Sequence, residues 1–191
     1  MSEEPSARPT VVAVVGSPRP NGNTAWTVDV GLAELERRGV HTEKITLGEY
    51  RIDPCQGHEE CALLAACTQQ DDATEILDRV YAADGLILAT PVYYEDVSAQ
   101  MKAFIDRNYR PYELQLRLQP KVAGLVVVAA ETGIEETVAA LKRFLALSWR
   151  EEMPIAVASG LASSLGEAAQ SKGLRAAAMA LAARMADVLL A

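Results

Sequence analysis

Residues 10–24 read TVVAVV and then GSPRPNGNT, and the break between the two halves decides the fold. Thr10 to Val15 is a continuous, mostly β-branched apolar run that stops at Gly16, as a strand buried on both faces should. From Thr24 to Arg38 the pattern turns helical, with Trp26, Val30 and Ala33 expected on one face and Gly39 as the terminator. Between them, GSPRPNGNT contains no apolar residue apart from Pro18 and Pro20. Gly16 and Gly22 are expected to adopt backbone geometries closed to other residues, while the prolines stiffen the loop. Ser17, Asn21, Asn23 and Thr24 supply hydroxyl and amide groups, Arg19 adds a positive charge, and the free amides at a helix start favour an anion. The loop reads as a phosphate cradle, or else as a solvated turn with a threonine cap. It is neither the G-x-G-x-x-G dinucleotide fingerprint nor the Gly-Lys-Ser/Thr loop of nucleoside triphosphatases.

The same alternation continues along the chain. Val40 to Leu47, Gly85 to Thr90, Lys121 to Ala129 and Pro154 to Ala158 read as further strands. Helices are expected after a cap at Asp71 or Asp72, with Ile76, Leu77 and Val80 inward, and over Ser98–Arg107, Ile134–Leu147 and Leu174–Leu190. Strands alternating with helices imply parallel pairing and right-handed crossovers. The expected fold is therefore α/β, a flavodoxin-like three-layer sandwich with a five-stranded parallel sheet. Residues 10–191 make one domain behind a flexible N-terminal extension, 1–9. The stretch Tyr109 to Leu118 receives no assignment.

Composition narrows the function. The chain has 191 residues, enough for one well-buried domain, and half of them are apolar. A net charge of −8, from 26 acidic and 18 basic residues, disfavours nucleic acid or an anionic membrane as the main partner. The opening MSEEPSARP is neither a secretory signal nor a transit peptide, and no apolar run approaches the roughly 18 residues of a membrane span, so the cytoplasm is the expected compartment. The three cysteines all fall within positions 55 to 67, which argues against long-range disulfides.

A second loop, Pro91-Val92-Tyr93-Tyr94-Glu95-Asp96, leaves the sheet at the same edge as the first. Its tyrosine pair is suited to a planar ring, or alternatively to covering the strand ends. GSPRPNGNT together with ADGLILATPVYYEDVSAQMKAFIDR, at this spacing, resembles the NADPH-dependent FMN reductase family, near its iron-sulfur flavoprotein branch. The resemblance implies that Ser17, Arg19, Asn23 and Thr24 hold the FMN phosphate, with Asn21 and Gly22 shaping the turn. Pro91, Val92, Tyr93 and Tyr94 would line the isoalloxazine, and Ala130, Glu131, Thr132 and Gly133 would reach its other side. It implies an oxidoreductase that takes hydride from NAD(P)H and serves a small acceptor such as a quinone, free flavin, azo or nitro compound, as a homodimer or homotetramer. No protein acid, base or nucleophile is required, because the flavin carries the chemistry.

Two departures stand out. Where the family often has glycine after the tyrosine pair, this chain has Glu95 and Asp96, which would oppose an anionic reduced flavin if turned inward and do nothing if turned to water. The iron-sulfur branch carries four cysteines after the second strand; here the segment reads C-x2-H-x2-C-x5-C, with Cys55, His58, Cys61 and Cys67. That set suits zinc or an unusual iron-sulfur cluster, but the favoured expectation is no metal, with Cys61 and Cys67 packed among Ala62, Leu63, Leu64 and Ala65 and His58 in solvent. Two competing functions remain: a flavodoxin-like electron-transfer flavoprotein, with or without an iron-sulfur centre, and a cofactor-free interaction domain.

Overall fold

A computed structural model describes residues 8–59, 61–64, 66–116, 118–148 and 153–191. Five strands, β1 (Thr10–Val15), β2 (His41–Thr46), β3 (Gly85–Pro91), β4 (Val122–Ala129) and β5 (Ile155–Leu161), form one parallel sheet in the order β2-β1-β3-β4-β5. This is the flavodoxin-like order, and it confirms the expected α/β sandwich. The helices are α1 (Asn23–Arg37), α2 (Ala73–Ala82), α3 (Ala99–Arg107), α4 (Tyr109–Glu113), α5 (Ile134–Ser148), α6 (Glu167–Gln170) and α7 (Lys172–Leu189). Among the described residues no helix is long and apolar enough to cross a membrane.

The three inner strands, β1, β3 and β4, read as continuous apolar runs because both of their faces are covered. Val11, Ala13 and Val15 of β1 point into a core with Val28, Leu32 and Leu35 of α1 and Leu181, Ala182 and Met185 of α7. Val12 and Val14 point the other way, into a core with Ile76 and Val80 of α2, Met101 and Phe104 of α3, and Leu141 and Leu145 of α5. Successive residues of one strand thus feed two layers.

Local expectations hold with three corrections. The inward face of α1 is Ala25, Val28, Leu32 and Leu35, whereas Ala33 is exposed and Trp26 is only partly buried, with the Arg175 guanidinium 5.0 Å from its ring. Alanine and valine on several faces made the apolar stripe ambiguous. β5 runs on to Leu161, three residues past the expected end, because Ser159-Gly160-Leu161 still pairs with Val127-Val128-Ala129. The stretch left unassigned contains α4, and Leu118 returns to the core by donating its backbone N–H to Ser148 O at 3.1 Å. Residues 1–7 of the expected N-terminal extension lie outside the described residues, and Pro9 is already fastened to the sheet, accepting from His41 N at 2.9 Å.

Candidate functional site

β1 pairs with β2 on one side and β3 on the other, and the strand order reverses there. The loops that follow β1 and β3 therefore diverge around a crevice at the carboxyl edge of the sheet. The first loop is held close to the second. Gly16 N donates to Ala89 O at 2.7 Å, and the Ser98 hydroxyl donates to Gly16 O at 2.5 Å while accepting from Met101 N to cap α3. A Cβ on residue 16 would lie 2.7 Å from the Met101 Cβ, so glycine is needed for space. Neither Gly16 nor Gly22 has a positive φ, and Gly22 is extended at φ −79°, ψ 174°. The expectation of special backbone geometry is thus replaced by one of close approach.

Gly22 is the N-cap of α1, and no side chain caps the helix there, which removes the threonine-cap alternative. No acidic residue occupies the first turn. The loop curls on itself instead: Ser17 Oγ donates to Arg19 O and accepts from Arg19 N, and Gly22 N donates to Arg19 O. The helix thus presents its first amides and the positive end of its dipole without a carboxylate to neutralise them.

Those amides open onto a cleft of about 230 Å³. Ser17, Arg19, Gly22, Asn23 and Thr24 come from the first loop and the start of α1; Pro91, Val92 and Tyr93 come from the end of β3 and its loop; Val128 and Ala130 come from the end of β4 and the residue after it. Of the other residues singled out in the sequence, Asn21, Tyr94, Glu131, Thr132 and Gly133 do not line it. Tyr94 and Glu95 form a turn with φ of 51° and 60°, closed by the paired bonds Tyr93 N to Asp96 O and Asp96 N to Tyr93 O. Tyr94 is fully exposed, and the exposed Glu95 and Asp96 stand outside the cleft lining. Gly133 serves that turn: a Cβ on it would come within 2.7 Å of the Glu95 Cα and of Val92 Cγ1.

One expectation needs direct correction. Asn23 lines the cleft, but its carboxamide bonds to Ala162 O, Ser164 O, Gly166 N and Ala168 N, so it can meet a phosphate only through its backbone amide. Those partners belong to a wall the sequence reading missed, the loop after β5, which adds Ala162, Ser163 and Leu165 to the cleft. Its signal was present as Ser164-x-x-Glu167, a capping-box spacing in which the Glu reaches back to the serine amide. The Glu167 carboxylate does so, accepting from Ser163 N, Ser163 Oγ and Ser164 N, and these bonds hold its carboxyl below the usual range.

The cysteine segment occupies a different place. Its ends are zipped together by Arg51 N to Asp72 Oδ2 and Asp53 N to Asp71 Oδ2, and the buried Arg107 of α3 lies beneath, paired with Asp71 and donating to Asp53 O. Cys61 is buried, and burial pushes its thiol up, as do the neighbouring thiols of Cys55 and Cys67. Leu63, expected to pack around the cysteines, is 84% exposed, and Ala65 lies outside the described residues. Cys55 borders a separate hollow of about 400 Å³ with Tyr109, Tyr112, Phe144 and Leu147. His58 is exposed, and the Cys67 sulfur is engaged by Arg107 Nη2 at 3.4 Å. Among the described residues no three His, Cys, Asp or Glu side chains are placed to hold a metal ion. In this arrangement the His58 imidazole lies in solvent and the Cys67 sulfur is held by a guanidinium, so the four side chains do not converge on one point.

Residues 9–183 match the sequence profile described as NADPH-dependent FMN reductase. The chain belongs to that family. This FMN reductase family member is 38% identical over 156 residues to an iron-sulfur flavoprotein of Archaeoglobus fulgidus, a match covering 82% of this chain and 70% of that one. It is 41% identical over 128 residues to an iron-sulfur flavoprotein of Methanocaldococcus jannaschii, covering 66% of each. In fold it resembles the NAD(P)H:quinone oxidoreductase of Methanothermobacter marburgensis, with a TM-score of 0.70 and 19% identity over 94% of this chain and 95% of that one. Family membership makes the reductase-like chain an oxidoreductase.

Proposed function

We propose that this chain binds FMN in the cleft between the β1, β3, β4 and β5 loops, and that it is an NAD(P)H-dependent reductase of small electron-poor acceptors. The observation that carries the reading is the uncapped, acid-free N-terminus of α1, opening onto a cleft with Tyr93 on its far side. Free amides of the first turn and the Arg19 guanidinium suit the phosphate of a mononucleotide. Pro91, Val92 and Tyr93 offer an apolar edge and backbone groups to a flat ring. FMN bound there supplies hydride chemistry, accepting two electrons from a reduced nicotinamide and releasing them to a quinone, free flavin, azo or nitro compound.

What the protein contributes is placement. The Thr90, Ser98 and Gly16 bonds fix the two loops against each other: the Thr90 hydroxyl accepts from Ser98 N at 3.0 Å, and the Ser98 hydroxyl reaches the first loop. Gly133 props the 93–96 turn from behind. Glu95 and Asp96 are exposed and outside the cleft lining, where water and salt screen their charge from a flavin bound in it. We assign the protein to the cytoplasm, in keeping with its acidic charge and free cysteines. Exposed Leu63, Tyr112 and Leu147 favour a homodimer or homotetramer, which light scattering tests.

An electron-transfer flavoprotein, with or without an iron-sulfur centre, has the names of relatives behind it, while the solvent-facing His58 and the Arg107-bound Cys67 weigh against a cluster in this arrangement. The deciding experiment is an anaerobic absorption spectrum of the purified protein, with iron and zinc analysis of the same sample. Flavin bands bleached by NADPH or NADH, with substoichiometric metal, are expected. Stoichiometric iron with broad violet absorbance would transfer the assignment to the electron carrier, and failure to take up added FMN would end both readings.

A further inference from the structure

A primary amide side chain offers two N–H donors and one oxygen with two lone pairs. Asn23, the first residue of α1, has all four engaged. Its Nδ2 donates to Ala162 O at 3.2 Å and Ser164 O at 2.8 Å, and its Oδ1 accepts from Gly166 N at 3.1 Å and Ala168 N at 3.2 Å. The reversed amide would set donors against donors and acceptors against acceptors, so the partners themselves fix its orientation. No hydrogen-bonding capacity is left in this side chain for a ligand. The partners lie 139 to 145 residues further along the chain, so the bonds join the first loop of the sheet to the last.

The segment so fastened is not held by a core. Ala162 is buried and its N–H donates to Ala129 O at 2.8 Å, but beyond it Ser163, Ser164 and Leu165 are exposed, Leu165 at 71%. Two side chains hold these residues, the Asn23 carboxamide and the Glu167 carboxylate, which accepts from Ser163 N at 2.8 Å and Ser164 N at 2.9 Å; the Glu167 backbone N–H adds a bond to Ser164 O at 3.2 Å. Ser163 and Leu165 nevertheless line the cleft. An exposed apolar side chain on the rim of a ligand cleft gains most by lying over the apolar body of a bound molecule.

We infer that Asn23 is a positioning residue that latches residues 162–165 over the cleft, making this segment a fourth wall that contacts the ligand away from its phosphate. The inference rests on the FMN reading and changes what Asn23 does within it. A side chain that bound the phosphate would matter to FMN and not to riboflavin, which lacks one. A latch matters to both.

The test is the affinity of full-length wild type, Asn23→Ala and Glu167→Ala for FMN and for riboflavin, by quenching of flavin fluorescence. Amide exchange of residues 161–168 with and without FMN is measured alongside. Thermal melts of the apo forms check folding, and Glu167→Ala, which leaves every residue of the anion-binding loop unchanged, carries the test if Asn23→Ala does not fold. The expected result is about a tenfold weakening for both variants, equal for the two flavins. FMN should slow exchange at 162–165 in the wild type, and both variants should lose that protection. Loss of FMN affinity alone in Asn23→Ala would return its side chain to the phosphate and overturn the latch. So would a wild type in which FMN leaves exchange at 162–165 unchanged. A wild type that binds neither flavin sinks the FMN reading itself, a separate failure.

Discussion

Glu34 shows how one side chain on α1 serves stability at a distance from the cleft. Its two oxygens receive Arg37 Nε and Nη2 and Arg38 Nε, at 2.6 to 2.8 Å, and these bonds lower its carboxyl from near 4.5 to about 2. Because the folded value lies below the ordinary one, the stabilisation is complete above about pH 4.5 and is lost as the pH falls toward 2. Glu34→Gln should therefore flatten the acid limb of a Tm against pH curve between these limits and leave its shape near neutrality unchanged. An identical acid limb in the variant would show that the bonds from Arg37 and Arg38 do not stabilise the ionised Glu34 carboxylate. Single residues also mark where sequence reading stops. Ser17, Arg19, Gly22 and Thr24 were legible because loop chemistry is local, and the structure brings them together as expected. The engagement of Asn23 was not legible, since its partners are fixed by tertiary contact.

Among the elements, α3 carries two duties. Its N-terminal Ser98 ties the second loop to the first, and its last residue, Arg107, anchors the cysteine segment through Asp71, the Asp53 carbonyl and the Cys67 sulfur. The Arg107 and Asp71 side chains are almost completely buried. Removing one member strands the other's charge in a low dielectric, so Arg107→Leu should cost about 3–5 kcal/mol in urea denaturation. Arg107→Leu with Asp71→Leu should recover part of that loss. A double variant no better than the single would mean that the lost bonds to Asp53 and Cys67 dominate. β1, β3 and β4 were readable in the sequence because both of their faces are buried and nearly every residue had to be apolar. β5 was cut short and the face of α1 misplaced where serine, glycine and alanine weaken the pattern.

At the scale of the molecule, ligand and fold are linked through mass action. FMN that binds only the native state should add about 2.7 kcal/mol at a hundred times its Kd, a rise in Tm of roughly 5–10 °C for a chain this size. Riboflavin at the same concentration should raise it less, in proportion to the share of affinity the phosphate supplies. Equal shifts for the two would place the anchoring outside the α1 terminus. The sheet order and both layers of the core followed from the alternation of strands and helices. The outline of the cleft followed only on three sides, because the fourth is drawn by the last loop of the sheet.

The bonds from Asn23 to residues 162–168, and the packing of α1 on α7 in one core, also bear on how the protein is made. The first loop and helix leave the ribosome early, yet the groups that complete them come from the final quarter of the chain. A nascent polypeptide halted before residue 162 has the turn at residues 16–24 in hand but neither the wall that Asn23 fastens nor the helix against which α1 rests. A cleft bounded by this wall therefore forms only once residues 162–189 have folded back onto the first loop and helix, late in the order in which these segments are made.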